Sequence, residues 1–303
     1  MRNTKHLLVI CGPTAIGKTK VAIDIAKHFN TEIISADARQ FYREMNIGTA
    51  KANEKELAAV PHHFVNNLSI KDKYSAGDFE KEVNEKLIEL YTNLDVVVLA
   101  GGSGLFIKAA VEGFDDLPDI PITIRKKFKA ILKEQGIEAL QNMLKEKDAI
   151  YYEMVDLGNP QRLIRAMEII DFTGKPYSSL LNKKKKERLY KTHYIGLNIN
   201  RAILYERINQ RVDLMMEKGQ LEEAQSLLSF QNLNALQTVG YSELFSFLNN
   251  EISLEEAIIL IKRNSRRYAK RQITWFKKIE NITWFEPNTI DDIIEHINKV
   301  IIA

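Results

Sequence analysis

The hydrophobic residues of the first third of the chain fall into short apolar runs that alternate with segments of helical spacing. Residues 7–11, 32–36 and 95–100 form apolar runs of the kind found in parallel strands that are buried on both faces. Helical spacing extends from residue 18 to about 28 and from residue 78 to about 94. This alternation predicts an α/β protein with a parallel, doubly wound sheet flanked by helices.

The pattern changes in the middle of the chain. After Pro118 and Pro121, the stretch up to about residue 191 has helical spacing and almost no strand pattern. Residues 193–197 then form another apolar run, which predicts a strand that returns the chain to the sheet. We therefore predict a core domain of residues 1–114 and 193–303, ending in helices, and a mainly helical insertion of residues 115–192.

The loop after the first predicted strand carries the strongest candidate chemistry. It matches the pattern G-x-x-x-x-G-K-[ST] in full, as Gly12, Pro13, Thr14, Ala15, Ile16, Gly17, Lys18 and Thr19. Glycines let backbone N–H groups close around a phosphate, and the helix that follows presents its N-terminus to the anion. Lys18 supplies a positive charge and the Thr19 hydroxyl can bind Mg²⁺. The loop predicts a P-loop NTPase-like core; a Gly/Pro turn that binds nothing is the alternative.

The acidic residues near this loop narrow the choice of phosphate compound. ATPases and kinases of this fold place a metal-holding acid at the end of a second buried strand, but residues 95–100 are followed by Gly101 and Gly102. Asp37 is the acid well placed at a strand end. This arrangement suits a reaction in which diphosphate leaves and Asp37 accepts a proton, with a P-loop small-molecule kinase as the alternative. Asp37 could equally cap a following helix.

Basic residues predict contact with nucleic acid. The stretch from Ala257 to Ile279 contains no acid, and spacings of three and four place its basic residues in two rows on one helix face. This favours binding to RNA phosphates with aromatic residues as stacking partners, while a solvated helix face with its aromatics in the core is the alternative. Residues 183–186 form a second basic run. Gln40, beside Asp37, has the donor and acceptor that suit a nucleobase edge, and Arg39 could pair with phosphate or be solvated.

Composition excludes several classes of protein. The chain has 303 residues, 45% hydrophobic and 27% charged, which is typical of a soluble globular protein. A single cysteine, Cys11, excludes a disulfide framework and a multi-cysteine zinc site. The apolar runs are too short for a membrane span, so we expect a cytoplasmic protein without membrane contact. We also expect a monomer, because no exposed heptad or apolar stripe indicates otherwise.

Together these segments resemble the tRNA dimethylallyltransferase (tRNA isopentenylpyrophosphate transferase) family. The matching stretches are residues 12–19, 34–42, 47–51, 61–63, 74–79, 101–106, 159–168, 239–241 and 270–276. They extend over almost the whole chain. As a combination they are far more specific than the P-loop motif alone.

The resemblance implies transfer of a dimethylallyl group from dimethylallyl diphosphate to the exocyclic amine of the adenine 3′-adjacent to the anticodon in tRNA, with release of diphosphate. The P-loop would hold the diphosphate together with Mg²⁺, which Thr19 would share with the diphosphate. Asp37 would be the general base, and Arg211 matches an arginine on the diphosphate side. The insertion would grip the anticodon stem-loop. A small-molecule kinase and a non-catalytic RNA-binding module remain the alternative functions.

The resemblance also implies a set of residues that contact tRNA. They are Asp37, Ala38, Arg39, Gln40, Ser103, Arg125, Gln161, Arg162, Leu163, Ile164, Arg165, Gln237, Gly240 and Tyr241. The chain departs from residues common in the family at Ala38, Ser103, Phe106 and Ser242. None of these departures affects Lys18, Thr19 or Asp37.

Overall fold

A parallel β-sheet forms the centre of the protein. The computed structural model describes residues 4–115, 117–181 and 186–302, so most of the predicted basic run at 183–186 lies outside the described residues. In this part of the chain, six strands pair in the order β3-β2-β4-β1-β5-β6, and all pairs are parallel. The strands are β1 (Lys5–Cys11), β2 (Ile33–Ser35), β3 (His62–His63), β4 (Val96–Gly101), β5 (Tyr190–Leu197) and β6 (Ile282–Phe285). The α/β class predicted from the sequence is confirmed.

The central strand β1 is apolar because it is covered on both faces. Leu8 and Ile10 are fully buried in a core that also holds Ile25 of the following helix. In the register of β1 with β4, Val9 pairs with Leu99, and Cys11 pairs with Gly101. Because all strands run in one direction, the loops that follow β1, β2 and β4 emerge at the same edge of the sheet.

Helices connect the strands and extend the C-terminal part. They are α1 (Lys18–His28), α2 (Glu54–Ala59), α3 (Ala76–Leu90), α4 (Gly104–Val111), α5 (Ile122–Lys147), α6 (Ala149–Met154), α7 (Pro160–Thr173), α8 (Tyr177–Leu180), α9 (Arg201–Glu217), α10 (Gln220–Ser226), α11 (Ser242–Leu248), α12 (Leu254–Phe276) and α13 (Ile290–Ile302). Asn159 caps α7 by accepting a hydrogen bond from the Arg162 N–H, and Pro160 takes the first helical position. No helix in the described residues is both long and apolar enough to cross a membrane.

The chain divides into two compact units. The first unit contains the sheet and consists of Met1–Glu112 and Glu187–Ala303, and the second consists of Gly113–Lys186. In the second unit, α5 packs against α7 around a separate apolar core that includes Phe128, Leu140 and Leu163. The described residues of the second unit form helices and no strand. Strand β5 begins at Tyr190, within the range 115–192 that the sequence predicts for the insertion.

Two strands were not predicted from the sequence. β3 contains only two residues, and β6 is an edge strand whose four residues are all half-buried. Neither presents the continuous apolar run that identifies β1 and β4. The C-terminal segment, which we expected to be mainly helical, therefore also contributes one strand to the sheet.

Candidate active site

The loop between β1 and α1 is shaped by close backbone contacts. A Cβ atom at Gly12 would lie 2.7 Å from the carbonyl oxygen of Leu197, so no side chain fits at this position. Gly17 has a φ of 101°, a left-handed value that glycine adopts at little cost, and α1 begins at the next residue. The Lys18 ammonium lies over the loop and donates a hydrogen bond to the Pro13 carbonyl at 2.8 Å. The loop thus combines a close backbone turn, a helix N-terminus and a positive charge.

Asp37 stands just beyond the end of β2. Its neighbour Ala36 is so close to β4 that a Cβ atom at Gly101 would lie 2.2 Å from the Ala36 carbonyl oxygen. One Asp37 carboxylate oxygen accepts a hydrogen bond from the Arg39 N–H at 3.1 Å, which forms a local turn. No helix begins here, since α2 starts at Glu54 and is capped by Asn53. The alternative interpretation of Asp37 as a helix cap is wrong.

Two cavities share a wall at this edge of the sheet. The cradle cavity, of about 270 Å³, is lined by Gly17, Lys18, Thr19 and Gln40. The aliphatic cavity, of about 260 Å³, is lined by Ile208, Val212, Met215, Val239 and Ile261. Both are also lined by the same six residues, Thr14, Ala15, Thr49, Tyr268, Asp37 and Arg211. A carboxylate and a guanidinium therefore stand at the junction of a polar cavity and a cavity whose lining combines aliphatic residues with polar ones such as Ser103, Gln220 and Thr238.

The charged groups of the cradle cavity influence one another. Burial lowers the pKa of Lys18 to about 8, the nearby Asp37 opposes this shift, and Arg211 adds to it. Burial also lowers the pKa of Arg211, and Asp37 again opposes the shift. Two cations thus face one carboxylate, which leaves the cavity suited to an additional anion. The structure brings Arg211 together with Lys18, Thr19, Asp37 and Gln40, which all lie in the first 40 residues of the sequence.

Helix α12 contributes two polar residues to the site, Tyr268, one of the aromatic residues of the basic stretch, and Gln272, which was not predicted from the sequence. Gln272 is buried, accepts a hydrogen bond from the Thr14 N–H at 2.8 Å and donates one to the Gly102 carbonyl at 2.9 Å. Tyr268 lines both cavities, and burial raises its pKa to about 12. Gln272 shares an inward helical spacing with the buried Ala269 and Phe276, and this spacing is the signal that could have revealed it.

Four other predicted residues of the first unit line the aliphatic cavity, namely Ala38, Arg39, Ser103 and Gly240. The Ala38 N–H donates to the Ser103 hydroxyl at 3.1 Å. The Arg39 guanidinium donates to the carbonyl oxygens of Asn234 and Gln237, at 3.0 and 3.5 Å, so it links two segments rather than standing free in solvent. Tyr241 is fully buried and its hydroxyl donates to Glu223 at 2.6 Å. The Gly240 N–H donates to Glu243 at 2.8 Å.

Basic helix α12 divides into exposed and buried faces. Phe276 is fully buried, so it belongs to the core and is not a stacking partner for RNA. Lys262 forms an ion pair with Asp213 at 2.6 Å, and Arg266 donates to Asn209 at 2.6 Å. The remaining basic side chains of the stretch are exposed, namely Arg263, Arg267, Lys270, Arg271, Lys277 and Lys278. The exposed basic face fits both alternatives raised by the sequence, and the burial of Phe276 fits the alternative that places the aromatic residues in the core.

In the second unit, the predicted RNA-contacting segment begins α7. Gln161 and Arg162 are exposed and Arg165 is half-buried, which leaves their polar groups accessible. Leu163 and Ile164 are fully buried in the core of this unit, so their side chains pack between helices. Arg125 on α5 and Arg165 both lie beside Glu168, at 3.4 and 3.6 Å.

Comparison with known proteins agrees with this architecture. A sequence model of the IPP transferase family matches residues 40–279. The tRNA dimethylallyltransferase of Christiangramia forsetii is 54% identical over 93% of this chain and 94% of that protein. The enzyme of the same name from Flavobacterium psychrophilum is 49% identical over 97% of this chain and 98% of that protein.

Solved structures show the same fold. The crystal structure of a tRNA isopentenylpyrophosphate transferase from Bacillus halodurans superimposes with a TM-score of 0.72 at 37% identity, covering 98% of this chain and 95% of that one. A eukaryotic dimethylallyltransferase described as acting on tRNA gives a TM-score of 0.80 at 26% identity, covering 99% and 78%. The resemblance drawn from the sequence motifs is confirmed: this chain belongs to the IPP transferase family.

Proposed function

We propose that this protein transfers a dimethylallyl group from dimethylallyl diphosphate to the exocyclic amine of the adenine 3′-adjacent to the anticodon in tRNA. The observation that carries the proposal is the junction of the cradle cavity and the aliphatic cavity at Asp37 and Arg211. A prenyl diphosphate has a charged end and an apolar end, and the two cavities match these ends in chemistry. The names of the relatives, which include tRNA dimethylallyltransferase, support the same reaction.

The cradle binds the diphosphate as it becomes the leaving group. The P-loop is Gly12, Pro13, Thr14, Ala15, Ile16, Gly17, Lys18 and Thr19. Pro13 has no N–H and the Thr14 N–H donates to Gln272, so the backbone N–H groups nearer the start of α1 bind the anion. Lys18 and Arg211 add two positive charges where negative charge grows as the bond between the allylic carbon and oxygen breaks. Burial of both cations makes them stronger partners for an anion than exposed ones would be.

Asp37 accepts the proton that the amine loses. The adenine amine is a poor nucleophile because its lone pair is delocalised into the ring. The amine nitrogen forms a bond to the allylic carbon, its proton moves to the Asp37 carboxylate, and diphosphate leaves with the electron pair of the broken bond. Gln40, which also lines the cradle cavity, has the donor and acceptor that suit the edge of the base.

The side chains present fit a magnesium ion that is held jointly with the diphosphate. No group of three or more His, Cys, Asp or Glu in the described residues could hold a metal ion alone. Thr19 lines the cradle cavity and offers one hydroxyl oxygen, and Mg²⁺ is commonly held by few protein oxygens plus substrate phosphates. When bound, Mg²⁺ would neutralise part of the charge on the diphosphate oxygens.

The proposed tRNA contacts lie in both units. In the first unit, Gln40 and the exposed basic face of α12 offer polar and positive groups. In the second unit, Arg125, Gln161, Arg162 and Arg165 offer such groups for the anticodon stem-loop. Arginine is well suited to RNA phosphates because its guanidinium can donate two parallel hydrogen bonds.

The decisive experiment offers the protein two competing donors. Purified protein is incubated with unmodified tRNA, Mg²⁺ and labelled dimethylallyl diphosphate, with ATP present as a phosphoryl donor. We expect label in the tRNA at the adenine after the anticodon, one diphosphate released per label, and no consumption of ATP. Phosphoryl transfer from ATP to a small molecule, without label in tRNA, would instead establish the kinase alternative and overturn the proposal.

A further inference from the structure

One buried carboxylate in the second unit faces two arginines from different helices. Glu168 on α7 has a side chain that is only 2% exposed. Its Oε1 lies 3.4 Å from Nε of Arg125 on α5, and its Oε2 lies 3.6 Å from Nη1 of Arg165, one turn earlier on α7. Each carboxylate oxygen therefore faces a different guanidinium.

Both arginines extend from this carboxylate to the surface. The side chains of Arg125 and Arg165 are 43% and 41% exposed. A guanidinium has five N–H donors in a fixed plane, and Glu168 faces one nitrogen of each. Electrostatic attraction of that nitrogen to Glu168 favours orientations in which the remaining donors point away from the carboxylate.

Stability alone does not account for Glu168. Charge-assisted hydrogen bonds are usually about 2.7–2.9 Å long, shorter than either contact here. Glu168 Oε1 also has no hydrogen-bond partner among the described residues, so its contact with Arg125 is an ion pair without a hydrogen bond. Burial of a carboxylate with such loose partners costs free energy that an apolar side chain of similar size would avoid. The carboxylate makes physical sense if its role is exerted through the arginines.

We propose that Glu168 is a positioning residue, which orients Arg125 and Arg165 so that the two guanidinium groups together bind phosphate of the RNA backbone. The inference rests on the proposed tRNA substrate and adds a residue that does not itself touch the RNA. The two arginines are a surface site for RNA phosphate, and Glu168 fixes the geometry of that site from below.

The structure provides a matched control for the test. Asp171 lies one turn after Glu168 on α7 and pairs with Lys127 of α5 at 2.9 Å, but this pair is exposed. Glu168→Gln and Asp171→Asn each remove one negative charge from the same helix pair. If charge alone mattered, both variants would bind the RNA polyanion slightly more tightly than the wild type.

We expect the two variants to differ in their affinity for tRNA. Glu168→Gln should weaken binding roughly tenfold and reduce the slope of log affinity against log salt, whereas Asp171→Asn should not weaken binding. In prenyl transfer, Glu168→Gln should raise KM for tRNA and leave kcat at saturating tRNA within roughly twofold, because the variant leaves the cradle unchanged. Equal or tighter tRNA binding by Glu168→Gln would overturn the proposal.

Two further variants separate positioning from a structural role. In an Arg125→Gln/Arg165→Gln background, Glu168→Gln should cause no further loss of tRNA affinity, and a second full tenfold loss would overturn the proposal. Glu168→Met should fold with a thermal midpoint no lower than that of the wild type, and failure to fold would assign Glu168 to structure instead. Because binding is measured without the prenyl donor, a wild type that binds tRNA but transfers no prenyl group would refute the proposed function while leaving this inference testable.

Discussion

Some residues of the site take part both in the local structure of the loops and in the lining of the cavities. Asp37 follows the end of β2, accepts a hydrogen bond from the Arg39 N–H and lines both cavities. Lys18 begins α1, holds the Pro13 carbonyl and sits near both Asp37 and Arg211. A ligand anion would replace the Pro13 carbonyl as the partner of the ammonium. The pH dependence of donor binding therefore reports on the charge of Lys18 in the cradle cavity.

Binding of dimethylallyl diphosphate should weaken as the pH rises through about 8. Burial lowers the pKa of Lys18 to about 8, so the free protein loses the ammonium charge above that pH, and the anion binds the charged form. Lys18→Met should bind roughly 10- to 100-fold more weakly at pH 7 and lose this pH dependence. Calorimetric titration of the donor from pH 6.5 to 9.5 provides the measurement.

Lys51 offers a control, since burial also lowers its pKa to about 8. Its ammonium donates to the Tyr42 carbonyl at 2.7 Å, and Lys51 does not line the cradle cavity. Lys51→Met should therefore retain the pH dependence of the wild type. The same pH profile in wild type and Lys18→Met would contradict the role of Lys18.

At the scale of elements, the sequence predicted the helices and strands that have a continuous local pattern of apolar residues. β1 and α1 follow from an apolar run, a glycine-rich loop and a helical spacing, and α1 has the bounds that the spacing predicts. β6 was missed because an edge strand lacks an apolar run. The helical spacing of Gln272 indicates burial, but its contact with Thr14 joins positions 258 residues apart, which no local pattern contains. Motifs therefore identified the cradle, while residues that reach it from distant helices needed the structure.

The meeting of β2 and β4 depends on a glycine. Gly101→Ala would place a Cβ atom 2.2 Å from the Ala36 carbonyl oxygen, so the strand ends beside Asp37 must move apart. We expect the free energy of unfolding to fall by about 1–3 kcal/mol and prenyl transfer to fall with it. Urea unfolding and the transfer assay measure the two effects.

Gly77→Ala is the matched control for this change. A Cβ atom at Gly77 would meet only the Ser75 hydroxyl, at an ordinary contact distance of 3.5 Å, and Gly77 lies in the first turn of α3. Alanine favours helix over glycine, so this variant should be at least as stable as the wild type. A Gly101→Ala protein as stable and active as Gly77→Ala would show that the close approach is not required.

At the scale of the whole molecule, the chain forms two compact units, and we propose that function is divided between them. The formal net charge is only +3, so overall charge does not explain RNA binding, and local clusters of arginine and lysine must supply it. The cavities that would hold the donor are lined by residues of the first unit. The second unit contributes Arg125, Arg162 and Arg165, which we assign to tRNA. This division predicts that a variant can lose prenyl transfer to tRNA and still bind the donor.

A protein that lacks Gly113–Lys186 should still bind the donor. The Arg188 side chain donates a hydrogen bond to the Val111 carbonyl at 3.2 Å, so the chain leaves the first unit and returns to it at neighbouring points. A short Gly/Ser linker can join these two points. We expect this variant to bind dimethylallyl diphosphate within a few-fold of the wild type, by calorimetry, and to transfer no detectable prenyl group to tRNA. Transfer at the wild-type rate would contradict the assignment of tRNA recognition to the second unit.

The most direct test of the account is single-turnover prenyl transfer by Asp37→Asn. Asparagine keeps the shape of the side chain and can still accept the Arg39 N–H, but it cannot take up the amine proton. We predict a rate roughly 10²- to 10⁴-fold below that of the wild type, with dissociation constants for tRNA and donor changed only a few-fold. An unchanged rate of transfer would show that the carboxylate at the junction of the two cavities is not the base.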